Sequence, residues 1–201
     1  MKTPLIRFFL CVLLLLFTGS AAYANPFSFA ATLTGPGESP PNASPGTGSA
    51  FVTFDPVAHF MQVQVNFSGL LGTTTASHIH SPTAVPGTGT AAVATQVPTF
   101  INFPLGVTSG AYNQSFDTSL ASTYNPAFVT ANGGSVFAAE SALFASLQAG
   151  TAYLNIHTTS FPGGEIRGFL ATVPESFSTA WAAMPIAVML LLASLRKARA
   201  I

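Results

Sequence analysis

The feature that most restricts the fold of this chain is an alternation of side-chain character with a period of two. From residue 59 to residue 67 two sets alternate without interruption: His59, Met61, Val63, Val65 and Phe67 against Phe60, Gln62, Gln64 and Asn66. Residues 27–34 show a weaker version of the same pattern. Because neighbouring side chains of a strand point to opposite faces, both segments are predicted to be strands with one buried face.

The rest of the central region favours short strands joined by tight turns. Residues 25–172 hold 14 of the 18 phenylalanines, mixed with frequent Gly, Pro, Thr and Ser, a combination typical of β-domains. Asp55-Pro56 is predicted to form a hairpin turn, and 153–158 a further strand. Apolar residues at helical spacing predict one short helix over 135–148. We therefore predict an all-β domain of two sheets with one covering helix. Residues 93–134 have no strong pattern, so the strands of this segment are not assigned.

The N-terminal segment has the pattern of a secretory signal peptide. Lys2 and Arg7 precede the apolar stretch 8–17, and Ala22 and Ala24 supply the small residues of a cleavage site. We predict cleavage after Ala24. Cys11, the single cysteine, would then be removed, and the mature domain would have neither a disulfide nor a thiol nucleophile.

The C-terminal segment, 173–201, has three parts in a fixed order. These are Val173-Pro174-Glu175-Ser176, an uncharged run over 177–195, and the basic residues Arg196, Lys197 and Arg199. As a helix the run would extend about 28 Å, close to the roughly 30 Å of a bilayer core, and the basic cluster would stay in the cytoplasm. A plain membrane anchor explains this arrangement.

The same order resembles the PEP-CTERM sorting signals of Gram-negative bacteria. The usual motif is Val-Pro-Glu-Pro, so Ser176 departs from it toward the variant with Val-Pro-Asp-Ser. The resemblance implies processing by an exosortase-type enzyme during export. We therefore expect a protein exported through the inner membrane to the bacterial surface, envelope or extracellular space, and anchored in the membrane at least transiently.

The charge distribution excludes a nucleic-acid partner. Between the two basic ends, Arg167 stands alone against six acidic residues, which gives this region a net charge of −5. Phosphate binding requires a basic face, and this sequence has none. Extracellular polysaccharide or protein partners remain open.

Two segments carry histidines on predicted strands. In "SHIHS", His78 and His80 lie on the face opposite Ile79, and in "YLNIHT", Asn155 and His157 lie opposite Leu154 and Ile156. The next segment places Glu165 and Arg167 on a common face, where Arg167 could pair with Glu165 or with another carboxylate as part of a polar network that includes Asn155.

These segments carry a resemblance to a known family. "FAATLTGPGESPPNASPGTGSAFVTFDP", "VNFSGLLGTTTASHIHSP" and "AGTAYLNIHTTSFPGGEIRGFL" resemble the CHRD domain, named after chordin, over residues 29–170 except for about 93–134. The resemblance implies an immunoglobulin-like or Greek-key β-sandwich. The predicted organisation is thus a signal peptide over 1–24, a CHRD domain over 25–172 and a sorting signal or membrane helix over 173–201. Fold likeness does not transfer chordin's role as a growth-factor antagonist.

Three functional hypotheses follow. In the first, the domain is a non-enzymatic surface or matrix protein whose histidines, with Asn155, Glu165 and Arg167, form a structural hydrogen-bonded network without a cofactor. In the second, His78, His80 and His157 bind copper or zinc, with His59 or Glu165 as a fourth ligand.

The second hypothesis has a partial precedent. His-x-His on a β-sandwich is similar to the copper-zinc superoxide dismutases, although the mature chain has no cysteine and no His/Asp zinc loop. The third hypothesis, a hydrolase, has little support, because the sequence contains no Gly-x-Ser-x-Gly elbow. No catalytic residue is predicted.

Overall fold

The computed structural model describes residues 26–174, and these form a curled antiparallel sheet. Its strands are β1 (Phe27–Thr34), β2 (Thr47–Asp55), β3 (Phe60–Ser68), β4 (Thr74–His80), β5 (Gly110–Asp117), β6 (Tyr153–Thr158), β7 (Ile166–Phe169) and β8 (Ala171–Thr172). Neighbouring strands follow the order β4-β6-β7-β1-β2-β3-β5, and β8 pairs with β1. The predicted all-β class is confirmed.

One half of the sheet follows directly from the alternation. In β3, Met61, Val63, Val65 and Phe67 are buried, whereas the amide side chains of Gln62, Gln64 and Asn66 face outward. β2 and β3 form the predicted hairpin, and the carboxylate of Asp55 accepts two turn N–H groups at 2.9 Å. His59 is not part of the strand. It is the last residue of the turn, with φ 52°, so the alternation was extended one residue too far.

The other half, β4-β6-β7, packs onto the same core. Ile79, Leu154, Ile156 and Ile166 are fully buried and belong to one apolar cluster with Val52, Phe54 and Val63 of the first half. The aliphatic face of the two histidine-bearing strands is therefore the core face, as predicted. The histidines lie on the opposite face, beneath the loops that follow β4 and β6.

The predicted helix is present as α2 (Val136–Gln148), and Ser135 caps it by accepting the N–H of Ala138 at 3.1 Å. Gly150, with φ 66°, follows its end. The segment without a sequence pattern contains β5, a 3₁₀ turn (Ala121–Thr123) and the short helix α1 (Pro126–Ala131). α2 covers the core with Ala139, Leu143 and Leu147.

Within residues 26–174, no helix is long and apolar enough to span a membrane. The predicted cleavage site at Ala24, the residues Glu175 and Ser176, and the apolar run 177–195 lie outside the described residues. Val173 and Pro174 are exposed there, and the N–H of Val173 donates to Ser28 O at 2.8 Å. The signal peptide and the sorting signal stay predictions.

Candidate metal centre

The pairing of β4 with β6 brings three histidines together. His78 pairs with Asn155 and His80 with Tyr153, so His157 follows diagonally on the same face. The ring centroids of His78, His80 and His157 lie 5.3 to 5.9 Å apart. The predicted convergence of the three imidazoles from two strands is present in the fold.

Each of the three rings is fixed by one backbone carbonyl. His78 Nε2 donates to Pro98 O at 2.7 Å, His80 Nδ1 to Ala91 O at 2.9 Å, and His157 Nδ1 to Pro162 O at 2.9 Å. A carbonyl oxygen only accepts, so the ring nitrogen facing it must carry the proton. The tautomer of every ring is thereby set, and the opposite nitrogen bears a lone pair.

The three lone-pair nitrogens have no partner. His78 Nδ1, His80 Nε2 and His157 Nε2 are buried and make no hydrogen bond to another protein group, and the three histidines offer ligand nitrogens, one from each ring, that lie within 4.8 Å of one another. A buried polar atom without a partner costs about 1–3 kcal/mol, and this cluster contains three of them. Hydrogen bonding from one ring nitrogen to a backbone carbonyl, with the other left free, is how proteins orient histidine ligands for a metal ion.

Burial keeps the three rings in the neutral form that binds metal. It lowers the pKa of His78 and of His157, and it lowers the pKa of His80 to about 4. Nitrogens about 2.1 Å from one ion lie roughly 3.4 Å apart in a tetrahedral arrangement. The rings would therefore move together by about 1 Å to close on an ion, which is within the reach of side-chain adjustment.

Comparison with known families identifies the domain. The family model of the CHRD domain matches residues 29–170. The chain belongs to the CHRD domain family. This is a family of binding-type domains, which agrees with the coarse prediction of a binding role. No curated protein matches the chain, and no solved structure matches it.

A second polar cluster of this CHRD domain lies beside the histidines. The guanidinium of Arg167 donates to Gly37 O at 2.6 Å and to Gly89 O at 3.0 Å, and its Nε lies 3.8 Å from Glu38 Oε2. It also lies 4.6 Å from the centre of the Tyr153 ring. Tyr153 in turn stacks on His80, with ring centroids 4.8 Å apart and an interplanar angle of 5°. Arg167 therefore places a fixed positive charge beside the ring stack.

Of the two alternatives for Arg167, the structure shows a carboxylate other than Glu165 beside the guanidinium. Glu165 precedes β7 and follows Gly164, whose φ is 134°, so strand alternation does not apply to it. Its carboxylate accepts from Ser44 Oγ, Leu71 N, Gly72 N and Thr158 Oγ1 at 2.6 to 3.1 Å. The acid beside Arg167 is Glu38, which the sequence reasoning missed. The only sequence signal for Glu38 was that it lies in the first of the segments that resemble the CHRD domain.

Neither suggested fourth ligand joins the cluster. His59 Nδ1 bonds the Glu140 carboxylate of α2 at 2.9 Å, and Thr118 donates to the same carboxylate. The carboxylate of Glu165 already accepts hydrogen bonds from four donors. Among the described residues, the group of potential ligands is limited to His78, His80 and His157.

Glu38 and Asn155 form a pair that is complete only when the acid is protonated. Asn155 Nδ2 donates to Glu38 Oε2 at 3.3 Å, while Glu38 Oε1 and Asn155 Oδ1 are buried without partners. Both free oxygens lie close to the point that a Cβ on Gly164 would occupy, at 2.7 and 2.8 Å. An ionised carboxylate oxygen and an amide oxygen both only accept, so Oε1 can donate to Oδ1 only when Glu38 is protonated. Burial raises the pKa of Glu38 to about 7, although Arg167 acts to lower it.

This pair predicts a pH-dependent difference between the wild type and Glu38→Gln. Folding raises the pKa of Glu38, so its contribution is complete below the ordinary value of 4.5 and is lost as the pH rises through about 7. Glutamine mimics the protonated acid at every pH. We expect the wild type to lose up to roughly 3 kcal/mol of unfolding free energy relative to Glu38→Gln over this range, measured by denaturant unfolding from pH 4.5 to 8. A constant difference would contradict the pairing.

Proposed function

We propose that this CHRD domain is a metal-binding protein that holds a copper or zinc ion on His78, His80 and His157. The observation that carries the proposal is that His78, His80 and His157 offer ligand atoms within 4.8 Å of one another while each keeps one buried ring nitrogen without a protein partner. Imidazole nitrogen suits both metals. The role is one of binding, and no residue is assigned to catalysis.

The hydrogen bonding favours metal binding over a purely structural role for the histidines. A structural network built from protein groups alone would give both nitrogens of each buried ring a hydrogen-bond partner, because buried polar groups are almost always paired. Here the carbonyls of Pro98, Ala91 and Pro162 satisfy one nitrogen of each ring. The other nitrogen of each ring has no protein partner, and the three rings offer ligand atoms within 4.8 Å of one another, which is the arrangement that an ion bound between them requires.

Export and tethering complete the proposal. An ion site of this kind would meet extracytoplasmic copper or zinc if residues 1–24 direct export and 177–195 hold the domain at the membrane. Both segments support this role through their sequence pattern alone, and processing by an exosortase-type enzyme rests on the same pattern. Polysaccharide and protein partners stay predictions.

Thermal unfolding tests the metal site. A ligand that binds only the folded state stabilises it by about 2.7 kcal/mol at 100 times its dissociation constant, which corresponds to a rise in Tm of about 8 °C for a domain of this size. The full chain, stripped of metal, should show this rise as copper or zinc is added. His80→Ala should abolish this rise in Tm, because only two of the three imidazole ligands would remain.

The matched control is His59→Gln. His59 lies outside the cluster, where its ring is hydrogen-bonded to Glu140. This variant should respond to metal like the wild type. If wild type and His80→Ala respond alike, the metal binds elsewhere and the proposal fails. If none of the three proteins responds to either metal, the histidines are structural.

A further inference from the structure

The ligands of the candidate centre and the groups that orient them are all uncharged. The three imidazoles are neutral, and each donates its N–H to a backbone carbonyl rather than to a carboxylate. Carboxylates are common in this position, where they offset part of the charge of a divalent ion. Here neither the ligands nor their hydrogen-bond partners supply negative charge.

The nearest ionisable pair cannot supply it either. Arg167 is always charged, and it lies over Tyr153, the ring that stacks on His80. Its partner is Glu38, at 3.8 Å. When Glu38 is ionised the pair is neutral, and when Glu38 is protonated the pair carries a charge of +1. In both states the pair gives no net negative charge to the centre.

The other carboxylates of the described chain are held elsewhere by their own donors. Asp55 caps the β2–β3 turn, Asp117 accepts from Ser119, Glu140 accepts from His59 and Thr118, and Glu165 accepts from four donors at the β7 end. Thr158, one of those donors, alternates with His157 and thus lies on the other face of β6. Among residues 26–174, no carboxylate groups with the three histidines.

These charges determine which ion the centre accepts at least cost. Charge buried without compensation is unfavourable, and the cost rises steeply with the size of the charge. A divalent ion would add two positive charges to a neutral site next to a guanidinium, whereas a cuprous ion adds one. Cu(I) also accepts three ligands, so it requires no fourth group from the protein.

We propose that the His78–His80–His157 centre is selective for Cu(I) over divalent ions. This rests on the proposed metal-binding function and specifies its cation. The consequence is a site that takes copper in its reduced form and disfavours Zn(II), even though three imidazoles are a ligand set that both ions accept.

Competition titrations test the selectivity. Cu(I) affinity is measured without oxygen against a coloured cuprous chelator, and Zn(II) affinity against a zinc indicator in the same buffer. The full chain carries Cys11→Ser throughout, because a thiolate would itself bind cuprous ion. We expect Cu(I) to bind about 100-fold more tightly than Zn(II), which is the effect of one additional charge at moderate distance.

The outcomes separate this inference from the proposed function. Equal or tighter binding of Zn(II) would overturn the selectivity and leave the metal site intact. Failure of both ions to bind would overturn both proposals. Loss of Cu(I) binding in His80→Ala, with retention in His59→Gln, would assign the measured affinity to the centre.

A second titration isolates the electrostatic cause. Arg167→Gln removes the positive charge, and we expect Zn(II) affinity to rise about tenfold relative to Cu(I) affinity. The ratio of the two affinities within one variant is insensitive to the fraction of protein that is folded. Asn155→Asp, which has nearly the same shape, would share one proton with Glu38, so the two carboxyls together would keep a negative charge near His78; this variant should shift the ratio in the same direction. An unchanged ratio in both variants would refute the charge argument.

Discussion

Replacing Glu165 with alanine is expected to destabilise the domain by about 4 kcal/mol or more. The side chain is fully buried, and its carboxylate accepts from two hydroxyls and two backbone N–H groups. Hydrogen bonds to a charged group contribute about 1.5–3 kcal/mol each, and donors left buried without an acceptor add a further cost. Denaturant unfolding of the purified variant, at a pH near 7, measures the loss.

The location of Glu165 explains why this loss would spread. Its donors come from the loop before β2 (Ser44), the β3–β4 loop (Leu71 and Gly72) and β6 (Thr158). One carboxylate therefore joins three parts of the chain. The first two parts, at Ser44 and at Leu71-Gly72, are each more than 70 residues from the third, at Thr158. These connections hold β6 in place, and β6 carries His157. We therefore expect the variant to lose metal binding together with stability.

Two comparisons make the Glu165 prediction specific. Glu165→Gln keeps the size of the side chain but places an NH₂ donor against the existing donors, so it should lose most of the same stability. Asp55→Ala removes an acid that accepts two backbone N–H groups in a turn open to water, and it should lose only about 1 kcal/mol. Similar losses in Glu165→Ala and Asp55→Ala would contradict the role given to Glu165.

The pH dependence has a definite sign. Burial acts to raise the pKa of Glu165, but the hydrogen bonds from Ser44, Thr158, Leu71 and Gly72 outweigh it and hold the pKa below its usual value. Its contribution to stability is thus complete above the unfolded pKa and is lost as the pH falls through the lower folded value. Acid unfolding of the wild type should therefore be steeper than that of Glu165→Gln.

The strands were predictable because their signal is local. The alternation in β3 and the shared face of His78 and His80 depend on the two-residue period of an extended chain. The pairing of β4 with β6 was not predicted, although the aliphatic faces of both strands were expected to meet the core. This pairing brings His157 to the other two histidines, a convergence that the sequence offered as one hypothesis among three.

The choice between a structural and a metal-binding role could not be made from the sequence. It depends on which ring nitrogens are satisfied, and the satisfying carbonyls belong to Ala91, Pro98 and Pro162. Two of these lie in loops whose course has no periodic signal. Backbone carbonyls are also present at every position, so no residue type marks the ones that will face a histidine.

Glu38 was missed for a related reason. It contacts Arg167 across 129 positions of sequence, through a loop whose shape is set by glycine and proline. Glu165 was the obvious partner because it lies two residues from Arg167, and strand alternation places such residues on one face. Alternation does not extend to Glu165, because Gly164, with a φ of 134°, turns the chain immediately before it.

Gly168→Ala is the second substitution expected to have a large effect. Gly168 lies in β7 where this strand passes β1, and a Cβ there would lie less than 3.0 Å from the backbone carbonyl of Thr32. Backbone atoms of a paired strand cannot move aside as a flexible side chain can. The methyl group would therefore force β7 away from β1, and we expect a loss of about 3 kcal/mol or more.

The control for Gly168 is Gly163→Ala. Gly163 lies in the turn before β7, and a Cβ on it would meet no atom within 4 Å; its φ is not among the positive values of the chain. Its replacement should change stability by less than about 0.5 kcal/mol. Arg167 precedes Gly168 and pairs with Thr34 of β1, so displacement of β7 would also move the guanidinium away from Tyr153. Comparable stabilities of the two alanine variants would show that β1 and β7 do not approach as closely as this structure places them.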